Sequence, residues 1–123
     1  MKRPAKDAER EERIQMKIMV DAYGPAEQIM GWFYYLDEHL HAPFTARCIA
    51  RHATSPLHAG EEVEVIGMPP GEEDEPTMRV RIRWQDREFA VPLQQLEGVQ
   101  VDEETQQAIE DWQYWVEQGH QFY

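Results

Sequence analysis

The sequence predicts an α+β fold: two N-terminal helices, a small SH3-like antiparallel β-barrel and a C-terminal helix. Three observations carry this. Residues 25–43 place Ile29, Trp32, Phe33, Leu36 and Leu40 at helical spacing. From Pro43 to about residue 101 the hydrophobic period drops to two, with turn residues between short runs. From Asp102 the helical period returns, with Ala108, Ile109, Trp112, Trp115 and Val116 as its apolar stripe.

The chain has 123 residues, enough for one core, so a single domain spanning residues 1–123 is expected, with residues 1–6 as a disordered tail. Residues 7–23 read as the first helix. Mixed-charge helix formers (Ala8 to Arg13) lead into Ile14, Met16, Ile18, Met19 and Val20. Gly24-Pro25 ends that segment and opens the central helix, since a proline in the first turn loses no hydrogen bond. Pro43 closes it by pushing the preceding residue out of the helical region. A second face of this helix carries Met30, Tyr34, Asp37 and His41.

The first strand is expected at FTARCIAR, with Phe44, Ala46, Cys48 and Ala50 on one face. Residues 62–66 make the second. The third alternates Met78, Val80, Ile82 and Trp84 with Arg79, Arg81 and Arg83. Gln85-Asp86-Arg87 turns into a fourth with Phe89 and Val91. PLQQL follows as a helical turn, and residues 99–101 as a last short strand. Short strands ending in such a turn suggest the SH3-like barrel. The arginine row is expected to face Glu62 and Glu64 across a strand pair. The last helix starts at Asp102, a natural cap, and stops at Gly119.

Twenty-four acidic residues against 12 basic ones give a net charge of −12. Nucleic acid and anionic membrane surfaces are therefore not expected partners, because both are bound through Lys and Arg. No run approaches the ~20 apolar residues that span a bilayer, and the N-terminus has no signal-peptide core, so a cytoplasmic location is expected. An enzyme is not expected. Ser55 is the only serine and sits in a Ser-Pro turn, Cys48 alternates with apolar neighbours, and there is no glycine-rich phosphate loop. The one cysteine allows neither an intrachain disulfide nor a cysteine-based zinc site.

A divalent cation suits the charge better. The run Glu72, Glu73, Asp74, Glu75 lies between a Pro-Pro-Gly break and Pro76, and four adjacent like charges repel unless a cation relieves them. Calcium takes six to eight oxygen ligands, from carboxylates, carbonyls and water. A solvated acidic loop is the alternative reading of the same run. No EF-hand spacing is present, so a calcium site must be gathered from separate parts of the chain.

Four stretches carry a resemblance: REERIQMKIMVDAYGPAEQIMGWFYYLDEHLHAPFTARC, SPLHAGEEVEVIGM, FAVPLQQLEGV and DEETQQAIEDWQYWVEQGH. They run in order from Arg10 to the C-terminal region and resemble the cyanobacterial-type calcium-binding protein family, called CcbP-like. The resemblance implies a small acidic calcium binder without EF-hands, acting as an intracellular buffer or sensor. It implies Asp37, with Glu38 beside it, as metal ligands at the end of the central helix. Glu72, Glu73, Asp74 and Glu75 match the family in kind. The family's loop cysteine has no counterpart here. A reading from another class is an SH3-like interaction module that binds a basic peptide through its acidic surface, with Tyr34, Tyr35 and Trp84 as the aromatic platform for Lys or Arg.

Overall fold

The structure is a computed structural model that describes residues 7–20, 22–52, 55–69 and 78–118. It contains three helices, α1 (Ala8–Lys17), α2 (Pro25–His39) and α3 (Glu103–Glu117). The five strands are β1 (Phe44–Cys48), β2 (Glu62–Gly67), β3 (Arg79–Trp84), β4 (Arg87–Pro92) and β5 (Leu96–Val99). The fold class is α+β as expected. Residues 1–6, expected as a tail, and the acidic run 72–75 lie outside the described residues.

The strands form one antiparallel sheet in the order β4-β3-β2-β1-β5. Only the 3-10 turn Leu93–Gln95 separates β4 from β5, yet these strands occupy opposite edges. In a flat sheet the two edges would stand about 19 Å apart. Four residues of extended chain reach about 14 Å. The sheet therefore coils strongly, although no ladder joins β4 to β5 among the described residues.

Alternation sorts the side chains. Ala46, Cys48, Val63, Val65, Val80, Ile82 and Val91 are buried on the inward face, joined by Leu93 and Leu96 of the turn. The helices cover that face with Ile14, Ile29, Trp32, Leu36, Ile109, Trp112 and Trp115, so one core serves the whole described chain. Its centre is aromatic. The Trp32 ring lies 5.1 Å from that of Trp112 and 5.5 Å from that of Trp115. The outward face is ionic. Arg47 lies between Glu62 and Glu97, and Arg83 between Glu64 and Glu88. The expected pairing of the arginine row is thus met at Arg83 only, since Glu62 faces Arg47 across the β1–β2 pair.

Helix α1 ends sooner than the expected residue 23. The β-branched Ile18 and Val20 are weak helix formers, and the chain must cross α2 just after Lys17. A Cβ on Gly31 would lie 2.6 Å from the Ile18 carbonyl oxygen, so glycine is what permits this crossing. Helix α3 begins where expected, with Asp102 accepting from the Thr105 N–H. The last strand begins three residues earlier than its pattern suggested, at Leu96, because the PLQQL turn feeds directly into pairing with β1. The first strand stops at Cys48, so Ala50 is exposed in a bend.

Candidate functional site

Asp37 and Glu38 sit in the last turn of α2 and are both exposed. Behind them Trp32, Phe33, Tyr35 and Leu36 are buried, so the turn that carries the carboxylates is fixed by the core. The C-terminal end of a helix is the negative end of its dipole and leaves backbone carbonyls without helical donors. Two carboxylates there form a local environment of hard oxygen atoms that favours a cation. Neither takes part in an ion pair among the described residues, whereas several other acids are already matched. Glu62, Glu64, Glu88 and Glu97 face arginines, and Asp111 is held by Arg13.

Glu38 lines an open groove of about 440 Å³ together with Lys17, Gly31, Tyr34, Tyr35 and His39. The donor set offered by Asp37 and Glu38 is all oxygen, which suits calcium. It is incomplete by itself: among the described residues no group of three or more His, Cys, Asp or Glu side chains converges on one point. Further ligands have to come from backbone carbonyls, water or residues outside the described ones. The sequence reading offered Glu72, Glu73, Asp74 and Glu75 for this, and the structure describes none of them.

The end of α2 is braced by two polar arrangements that sequence reasoning missed. The first is buried. The Asp111 carboxylate of α3 is fully enclosed and accepts from Arg13 Nε at 2.9 Å, from Arg13 Nη2 at 2.6 Å and from the Tyr35 hydroxyl at 2.8 Å. One carboxylate thus ties all three helices together. The hydrogen bond to Asp111 raises the pKa of the Arg13 guanidinium. Burial, reinforced by Asp111, pushes Tyr35 up to about 12. The available signal was spacing: Asp111 falls three residues after Ala108 and one before Trp112, on the buried side of α3.

The second arrangement lies at the surface. The chain leaving α2 donates the His41 N–H to Thr105 Oγ1 at 3.0 Å, and the His41 ring meets Asp102 at 2.6 Å and Glu104 at 3.4 Å. His39 stacks on the Tyr35 ring at 4.3 Å and approaches Glu104 at 3.8 Å. Hydrogen bonding to Asp102 raises the His41 pKa. Asp102 is held down at about 2, first by Thr105 and then by His41. This clasp joins the end of α2 to the start of α3 beside the exposed carboxylate pair.

The aromatic residues considered for a peptide platform are not brought together by one surface. Tyr34 is exposed, Tyr35 is buried with its hydroxyl on Asp111, and Trp84 packs edge-on against Phe89 at 5.9 Å on the sheet. Cys48 is buried, and its thiol donates to the Ala50 carbonyl. No helix among the described residues is long and apolar enough to cross a membrane.

Comparison with known proteins identifies the family. Residues 12–116 match the model of a family described as calcium binding, Calci_bind_CcbP. No curated protein matches the chain. The crystal structure of CcbP from Anabaena superposes with a TM-score of 0.87 at 36% identity, covering 99% of this chain and all of that one. A calcium-binding protein solved in its calcium-binding form superposes with a TM-score of 0.82 at 36% identity, covering 95% of this chain and 96% of that one. Calcium is the ion that goes with this family, and the chain belongs to it: it is a member of the CcbP calcium-binding proteins.

Proposed function

We propose that this protein is a cytoplasmic calcium buffer or sensor, without catalytic activity, whose site is built on Asp37 and Glu38. The observation that carries the reading is the pair itself: two carboxylates at a helix C-terminus with no ion-pair partner among the described residues, in a fold that superposes on a calcium-binding form. Glu72, Glu73, Asp74 and Glu75 supply further oxygens in this proposal, and backbone carbonyls and water complete the shell. A site gathered from separate segments has to order them on binding, which holds affinity to a moderate level. Calcium is preferred over magnesium, because an irregular ring of carboxylates and carbonyls suits the larger ion and magnesium demands near-octahedral geometry. We also read the coiled sheet as an open barrel of the SH3-like type, on the strength of its strand order and the 3-10 turn linking its two edges.

Titration calorimetry with calcium, at physiological salt and with millimolar magnesium present, tests the function. A saturable calcium signal that magnesium does not reproduce is expected. No signal, or an equal response to both ions, refutes it. Asp37→Asn tests the site separately: unchanged affinity in this variant would move the site elsewhere and leave the function standing.

A further inference from the structure

The outward face of the sheet carries two arginines that its ionic pattern leaves out. Arg79, Arg81 and Arg83 alternate with the buried Val80 and Ile82, so they stand on one side of β3, about 7 Å apart along the strand. Arg83 lies between Glu64 and Glu88. Arg81 has Gly67 and Ala90 as its cross-strand neighbours, and Arg79 has Pro92. None of these three neighbours has a carboxylate. Among the described residues neither arginine has an ion-pair or side-chain hydrogen-bond partner.

Both side chains are half-buried, and the Nε of each is enclosed. Packing therefore holds each side chain along its length. The terminal Nη nitrogens are not enclosed in this way, so they reach solvent. The surface beside Arg81 is low: a side chain on Gly67 would meet no described atom within 4 Å. Two cations held side by side, each with an enclosed and unpaired donor, are unfavourable until an anion joins them.

We propose that Arg79 and Arg81 bind a phosphate group, as the dianion of a phosphate monoester. Charge, donor geometry and spacing select it. A monoester at neutral pH carries about two negative charges, which matches two guanidiniums. A carboxylate carries one, and its two oxygens are taken up by a single guanidinium fork, whereas the three terminal oxygens of a phosphate serve two forks. Two N–H···O contacts of about 2.9 Å, on opposite sides of one anion, roughly fill the ~7 Å between the two residues. Side chains already held in place lower the entropic cost of capture.

The net charge of −12 does not forbid this. At physiological ionic strength, exposed charges more than about 8 Å away are largely screened. The carboxylates next along the ladders, Glu64 and Glu88, are held by Arg83. The arginines lie on the outward face of the sheet, away from α2, so the site does not depend on Asp37 and Glu38.

Nitrogen-resolved NMR of the full-length protein, freed of calcium, tests the site. Titration with phenyl phosphate, and separately with inorganic phosphate, should shift the Nε signals of Arg79 and Arg81 in a saturable way. Arg83 and the exposed Arg51 and Arg87 should stay nearly constant. Acetate should bind at least tenfold more weakly. In calorimetry R79Q/R81Q should bind phenyl phosphate at least tenfold more weakly than the parent. R79K/R81K keeps both charges without the forks and should lose most of the binding as well. No saturable shift in the parent, or full binding by the lysine variant, overturns the proposal. Equal shifts at Arg51 and Arg87 reduce the effect to general attraction and overturn it too. Acetate that matches phenyl phosphate overturns the dianion in favour of a carboxylate, and inorganic phosphate bound with phenyl phosphate excluded overturns the monoester.

Discussion

Arg13 and Asp111 are 98 positions apart in sequence, and a forked pair of hydrogen bonds at 2.9 and 2.6 Å joins them. The carboxylate is fully enclosed, and Tyr35 completes its shell from α2. Removing it strands a guanidinium and a phenol in the helix interface. Asp111→Ala should therefore lower the unfolding free energy by about 3 kcal/mol, the cost typical of breaking one side of a buried pair. Urea unfolding followed by tryptophan fluorescence measures this. A loss within experimental error of zero would show that the network contributes no net stability.

Gly31 is a steric requirement at the α1–α2 crossing. A methyl group there would meet the Ile18 carbonyl at 2.6 Å, and that atom is backbone, which cannot swing aside. Alanine is ordinarily the better helix former by up to about 1 kcal/mol. Gly31→Ala should nonetheless destabilise, by about 1–3 kcal/mol as for other overpacked sites. A rise in the urea midpoint would contradict the close approach.

The His41 clasp makes a pH prediction with a definite sign. The folded-state pKa of His41 lies above its ordinary value, so its contribution is fully present at pH values below that ordinary value and is lost as pH rises through the raised one. Asp102 is depressed to about 2, so its contribution is present above the usual carboxylate range and fades as pH falls toward 2. Between these limits the clasp is charged on both sides, with Glu104 and His39 adjoining it. The melting temperature of the parent should fall relative to His41→Gln as pH is raised from about 6 to 8. Parallel curves for the two proteins would remove His41 from the stability balance.

Calcium should stabilise the fold by mass action. At a hundredfold excess of free calcium over its dissociation constant, the unfolding free energy should rise by about 2.7 kcal/mol, and a chelator should reverse the gain. Asp37→Asn should reduce the gain at the same calcium concentration. Equal stabilisation of the two proteins would take Asp37 out of the ligand set.

The parts of the fold legible in the sequence are those in which local chemistry and tertiary packing agree. Pro25 opens α2, Asp102 caps α3, and the alternation from Val80 to Trp84 defines β3. These signals act over a few residues. The end of α1 was not legible, because it is set by contact with Gly31, a residue on another helix. Asp111 looked like one more surface acid among 24, since nothing local states that Arg13 and Tyr35 will enclose it. The partner of Glu62 was misassigned for a related reason. Period fixes the face a side chain takes, while register and strand order decide whether Arg47 or the β3 arginines stand opposite. Asp37 and Glu38, on which the proposed site is built, were singled out through a family motif. Their exposure, and their lack of an ion pair among the described residues, became visible only in the structure.

The tryptophan cluster has an optical consequence. Trp32 lies on α2, five residues before Asp37, and its ring sits 5.1 Å from Trp112 and 5.5 Å from Trp115 on α3. Indoles this close couple their electronic transitions, and the coupling depends on the angle between the rings. The protein thus contains an unlabelled gauge of how the carboxylate-bearing helix is set against its neighbour. The near-ultraviolet circular dichroism of this trio would register a change in that setting when the ion arrives and stay constant if the helix is rigid. That single spectrum separates a signalling element from a passive reservoir.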